Sequence, residues 1–367
     1  ELSFAEHETT KRIGEKLQGI THSDKVKNKT RESGIELLRI IAMLMVMFVH
    51  ADFLAMGAPN SADIVNNVAD ASVRVWIQTL TVCCVDIFVL ISGWFSINLQ
   101  IKSVSAFLFQ CLFFYFGIYI VLMLLGQTSL SVKGLKICIV ATKLNWFIKS
   151  YLFLYILAPV LNIYVQQVDR KTQRNVLLAF YSMLFVYGWL FDATYEIANG
   201  CSTLSFIGLY LIARYIRVFQ PKIVVMSPKR YLLINVFVVS FITVLFITPP
   251  YWGILNSTFL GNVWISNISP LIVMISVFFL LYFANLRFKS LFINIVAASS
   301  FAAFLLHANP NISPWYLERC KSWHDEFGIL CWGYITVFIV FLFALSIIID
   351  QIRLCIWRCL SSKMFKN

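Results

Sequence analysis

Residues 37–54 read LLRIIAMLMVMFVHADFL. A run this long and this apolar is the mark of a helix that crosses a bilayer. It carries Arg39 and His50, eleven residues apart. Eleven steps of about 100° come to about 1,100°, which is three turns plus roughly 20°, so the two side chains share one face about 16 Å apart along the axis. Ionisable groups are costly in a membrane and mark functional cavities there. The structural alternative is a snorkelling arginine and a histidine satisfied within the bundle.

Composition sets the class. Hydrophobic residues make up 59% of the 367, charged residues only 13%, and mean hydropathy is +0.78. Soluble domains carry about 25% charged residues, so lipid or other apolar helices must surround most of this chain. The formal charge of +12 does not point to nucleic acid, because the basic residues lie in short loops and tails, where they set orientation. The expected fold is therefore an all-α integral membrane protein, about ten transmembrane helices in one bundle with both termini cytoplasmic. The expected location is the plasma (inner) membrane, multi-pass, with membrane lipids as partners and no nucleic acid.

Apolar length places the spans near 37–57, 76–97, 103–126, 146–165, 176–191, 203–219, 231–248, 268–285, 292–308 and 328–350. With the N-terminus inside, the cytoplasmic segments hold the basic residues of Lys11–Arg31, Lys102, Arg170–Arg174, Arg214–Arg230, Arg287–Lys289 and Arg353–Lys366. The opposite side keeps Arg74, Lys133, Lys136, Lys143, Lys149, Arg319 and Lys321. A bias of about three to one fixes the orientation. Residues 1–32 form a polar cytoplasmic tail, disordered by composition, and 352–367 a basic cytoplasmic tail around a transmembrane domain at 33–351. No apolar stretch of a signal peptide precedes the first span. The chain opens on Glu1 rather than methionine, which leaves room for missing N-terminal sequence.

The nine cysteines read mostly as small apolar residues within spans, although Cys201 and Cys320 fall on the same side and a bridge between them is one option. No histidine or cysteine spacing suggests a metal, so no metal and no bound cofactor are expected. The second span, VDIFVLISGWF, holds Asp86, Ser92 and Gly93. A bare carboxylate there needs a partner, a proton or a polar cavity. A salt bridge to Arg39 or Arg74 is the structural alternative. Ser92 and Gly93 permit close approach by another helix or by a ligand. The ninth span ends in SSFAAFLLHANP, and His307 lies at a depth similar to that of His50, at about 1.5 Å per residue from the same side.

Four stretches in order carry a resemblance: the first span's R-x10-H, the VDIFVLISGWF run, NWFIKSYLFLYILAPVLN and SSFAAFLLH. This pattern resembles the acyltransferase family 3 proteins, membrane enzymes that O-acylate glycans and other acceptors of the bacterial envelope, over residues 33–350. The resemblance implies that Arg39 and His50 are the functional pair. It also implies that Asp86, Ser92 and Gly93 belong to a characteristic segment and that His307 is the usual late-span histidine. One feature departs from the pattern. Many members carry an arginine-rich R-x-x-R stretch after the second span, whereas this chain reads INLQIKSVSAFLFQ there, with only Lys102.

Together these imply an O-acyltransferase, most simply an acetyltransferase. It would move an acyl group from cytoplasmic acyl-CoA (acetyl-CoA), a donor substrate, to a hydroxyl of a cell-surface polysaccharide or its lipid-linked glycan precursor. His50 would act as general base, with Asp86 orienting or stabilising it as the second catalytic residue. Arg39, Ser92 and Gly93 would line the donor side and His307 the acceptor side. The alternative class is a polytopic transporter or flippase for a lipid-linked sugar or a proton-coupled solute, with the same ionisable residues as its path. Against it stands the lack of an evident internal repeat and of obvious glycine- or proline-broken helix pairs. A non-catalytic scaffold would leave the Arg39–His50 register unexplained. The sequence carries no sign of oligomeric state.

Overall fold

The computed structural model describes residues 32–139, 146–190, 200–253 and 263–365, and among these the secondary structure is helical, without strands. Helix α1, Ser33–Val49, runs directly into a π-helical turn, His50–Leu54. Next come α2 (Ser61–Asn66), α3 (Val68–Thr81), α4 (Cys84–Phe95), α5 (Ile101–Leu124), α6 (Val132–Cys138) and α7 (Trp146–Gln167). The second half holds α8 (Arg170–Met183), α9 (Thr203–Phe219), α10 (Pro228–Ile247) and α11 (Pro270–Ala284). It closes with α12 (Leu291–Ser299), α13 (Phe301–His307), α14 (Ser313–Phe327) and α15 (Cys331–Met364).

Among the described residues, six helical segments are long and apolar enough to cross a membrane: Ser33–Leu54, Val68–Phe95, Ile101–Leu124, Trp146–Gln167, Pro228–Trp252 and Ser313–Met364. Two shorter apolar helices, Pro270–Ala284 and Leu291–His307, coincide with two more of the expected spans. The remaining two expected spans fall on α8 and α9, which are shorter and less apolar. Helix α8 opens with the polar turn RKTQRN, and its apolar part continues as a second π-helical stretch, Leu184–Leu190.

The second span differs from its expected 76–97. It starts at Val68 and breaks at residues 82–83, without a glycine or proline to mark the place. The hydroxyls of Thr79 and Thr81 donate back to the carbonyls of Val75 and Ile77, each at 2.7 Å, a bond that bends helices. The break leaves Asp86 in the first turn of α4. The basic segment from 352, expected as a cytoplasmic tail, is helical as far as Met364 and continuous with α15. Asp350 and Arg353 pair there at 2.8 Å, both buried, and Gln110 of α5 donates to Asp350 at 2.9 Å. The tail expected at 1–32 lies almost wholly outside the described residues. All nine cysteines are free thiols, Cys201 and Cys320 included.

Helix α1 is the central post of the bundle, packed against α3, α4, α11, α12, α13 and α15. Water does not drive helices together in lipid, so close steric fit has to hold them. Gly34 supplies one such contact: a Cβ there would collide with the backbone carbonyls of Phe283 and Leu286 near the end of α11. Gly93 supplies another, since its Cβ would stand 2.6 Å from the Tyr210 carbonyl oxygen and 2.8 Å from the Ala213 Cβ on α9. Helix α4 thus lies between α1 and α9. The outer faces of α7 and α15 leave Phe153 and Val337 exposed, as a lipid-facing surface requires.

Candidate active site

His50 opens the π turn that ends α1, and π turns inside helices recur at functional sites. His307 is the last residue of α13, which restarts after a break at Ser300. The two rings meet across the bundle, with His50 Nδ1 and His307 Nε2 at 3.0 Å. His307 Nδ1 in turn lies 2.5 Å from the carbonyl oxygen of Ala303, one turn back on its own helix. These contacts fix the tautomers of a neutral pair. A carbonyl only accepts, so His307 Nδ1 carries the hydrogen and its Nε2 is a bare lone pair. His50 Nδ1 must then donate across the gap, which leaves His50 Nε2 without a hydrogen. His307 is 1% exposed, whereas His50 is only partly buried. The arrangement therefore presents one basic nitrogen, on His50, at the open side of the pair.

Tyr316 of α14 braces both partners. Its hydroxyl donates to the Met47 carbonyl at 2.8 Å, and its ring centroid lies 5.3 Å from that of His307. Just past His50, Asp52 is fully buried and accepts from Arg74 Nε of α3 at 3.1 Å. Arg74 also donates to the carbonyl of Gly57. These bonds tie the π turn to the start of the next span. Asp70 of α3 pairs with His324 of α14 at 3.0 Å on the same side. Asp52 is the buried neighbour of His50 that the sequence did not bring out. It stands in the same quoted run, and a carboxylate among apolar residues was the available signal.

At the opposite end of α1, Arg39 pairs with Glu36 at 3.0 Å. The Asp52–Arg74 contact turns the chain back at the histidine end, so α4 finishes beside the start of α1. Ser92 of α4 meets the Tyr151 hydroxyl of α7 at 3.0 Å and donates to its own Phe88 carbonyl at 2.9 Å. Gly93, read as donor-lining, has the space beside its Cα filled by α9, so it serves helix packing. Trp94, next in the chain, lies under the guanidinium of Arg217 at 4.4 Å.

Asp86 is fully buried and makes neither of the ion pairs proposed from sequence. Arg39 belongs to Glu36 and Arg74 to Asp52. The carboxylate instead faces Ser276 of α11, whose hydroxyl lies 3.3 Å from Oδ2. Its place in the first turn of α4 sets it near free helix N–H groups and the positive end of the helix dipole. With Tyr181, Ser205 and Asn267 it lines one small cavity. The group hydrogen-bonded to His50 is His307, not Asp86.

A family model of the acyltransferase domain, acyltransferase family 3, matches residues 32–350. The chain belongs to that family. No curated protein and no solved structure matches it.

Proposed function

From membership of an acyltransferase family, we propose that this protein is a membrane O-acyltransferase in which His50 is the general base. The carrying observation is the His50–His307 contact at 3.0 Å, because it leaves His50 Nε2 free to take a proton. An acceptor hydroxyl gives its proton to that nitrogen as its oxygen attacks the thioester carbonyl. The carbon–sulfur bond breaks, the coenzyme A thiolate leaves, and the proton passes from the imidazolium to the sulfur. His307 accepts from Nδ1 throughout and so holds the ring in the useful tautomer. The donor is acyl-coenzyme A, most simply acetyl, entering at the Arg39 end. Its long pantetheine arm can cover the roughly 16 Å of helix between Arg39 and His50. The acceptor is a glycan, surface polysaccharide or lipid-linked precursor, met at the histidine end.

The same reading has ten spans in the inner membrane, with both termini cytoplasmic, on the strength of the Lys/Arg asymmetry. A transporter would use the same ionisable residues, but the family favours group transfer. His50→Gln keeps polarity and approximate size yet cannot take a proton at neutral pH. In membranes supplied with labelled acyl-coenzyme A, this variant should lose transfer by roughly 100-fold or more with the donor still bound. Transfer at the wild-type rate would falsify the general-base role.

A further inference from the structure

The second span carries three ionisable groups deep in the bundle, and two of them are paired. Asp70 has His324 and Arg74 has Asp52. Asp86, fully buried, meets no cation among the described residues. Its one donor is weak: the Ser276 hydroxyl lies 3.3 Å from Oδ2 but 2.8 Å from the Ile272 carbonyl, and it has a single hydrogen to give. Oδ1 has no partner among the described residues. The dipole of the twelve-residue α4 offers about half a unit charge at its N-terminus, against a full charge on the carboxylate. A buried carboxylate this poorly matched requires a counter-ion or a proton.

The cavity beside it brings together oxygens from four stretches of chain. They belong to Asp86 in the first turn of α4, Tyr181 near the end of α8, Ser205 at the start of α9 and Asn267 in the turn before α11. The cavity measures about 10 Å³, which is room for one water-sized occupant. The Tyr181 hydroxyl and Asn267 Oδ1 are both buried without a partner. The Asn267 nitrogen is engaged by the Cys201 sulfur at 3.8 Å, so the oxygen is what this amide has left to offer. Ser205 Oγ meets Ser202 Oγ at 3.1 Å and keeps a lone pair. Two orphaned acceptors thus stand with one orphaned hydroxyl. A water molecule satisfies their hydrogen bonds and leaves the charge. A proton removes the charge and fills no space, whereas a cation does both.

The backbone around the cavity points the same way. The second span breaks at 82–83, a π-helical stretch begins at Leu184, itself a cavity residue, and a turn at 267–268 precedes α11. Irregular backbone at membrane depth is tolerated where it lines a polar cavity, and the ends of interrupted helices supply ion ligands.

We propose that Asp86, Tyr181, Ser205 and Asn267 form a buried site for one small monovalent cation, sodium in size. Oxygen ligands suit hard ions rather than transition metals, and one carboxylate balances one charge. Among the described residues no three His, Cys, Asp or Glu side chains stand together, so cysteine and histidine spacing gives no hint of a site built mainly from neutral oxygens. The ion ties α4 to α8, α9 and the turn before α11. None of these elements carries His50 or His307, so the site does not depend on the acyltransferase reading.

The test melts the full chain, purified in detergent, in sodium chloride or choline chloride at constant ionic strength. Raising sodium from about 1 to about 200 mM should raise the melting temperature by roughly 3 °C, as binding to the folded state alone requires. Choline, too large for the cavity, should not. Asp86→Asn, close in size but uncharged, should lose the sodium dependence and bind no radioactive sodium. Tyr181→Phe keeps the ring beside Phe185 and should weaken sodium binding roughly fivefold, the worth of one neutral oxygen contact. It carries the test if Asp86→Asn does not fold. A wild type that binds no radioactive sodium overturns the site, as does unchanged binding in Tyr181→Phe and Asn267→Ala alike. Melting indifferent to sodium, with Asp86→Asn melting higher than wild type, overturns it in favour of a protonated carboxyl. Greater stabilisation by calcium than by sodium at equal concentration overturns the monovalent assignment.

Discussion

His50 and His307 are 257 residues apart in sequence and 3.0 Å apart in space, so each is incomplete alone. His307→Ala should lower kcat by roughly 10- to 100-fold with KM nearly constant, the usual cost of losing the group that orients a functional histidine. His307→Gln should recover part of this, because its amide oxygen can accept from His50 Nδ1. If glutamine does no better than alanine, His307 acts only through packing. The individual candidates were legible in the sequence because an apolar background makes every ionisable residue conspicuous. Helical register placed Arg39 and His50 on one face, and depth put His307 level with His50. Lateral adjacency was not legible, since apolar helices pack through side-chain shape rather than through any marked pattern. Asp52 went unread for a related reason: its partner, Arg74, looked like a loop charge until α3 was seen to begin at Val68.

Helices were legible where apolar length alone decides them, and their interruptions were not. The break at 82–83 comes from threonine hydroxyls competing for carbonyls, a local effect with no proline or glycine to announce it. The two π-helical turns, at His50–Leu54 and Leu184–Leu190, likewise leave no trace in hydrophobic periodicity. Element packing can be tested at Gly93. Gly93→Ala would push a methyl group toward a backbone carbonyl 2.6 Å away, which cannot rotate aside. The expected cost is about 1–3 kcal/mol, read as a lower melting temperature of the purified protein in detergent. An unchanged melting temperature would mean that α4 and α9 are not held this closely.

For the whole molecule, orientation is the property most directly measured. Cys355 and Cys359 are exposed thiols on the far part of α15. In a Cys201→Ser background, a membrane-impermeant maleimide should label them in inverted vesicles and not in intact cells. The reverse pattern would turn the whole topology over. The same helix has a consequence for how the protein tolerates its surroundings. Thirty-four residues make a rod of about 51 Å, while the hydrocarbon layer is about 30 Å deep. With Cys331 at one face of that layer, Asp350 and Arg353, about twenty residues on, fall near the other. Their charges are already neutralised by each other and bonded to Gln110, so drawing them a few ångströms further in exposes no new charge to lipid. The polar far part of this helix can therefore stand at a membrane boundary without a bare charge facing lipid, where a lone Asp350 or Arg353 could not.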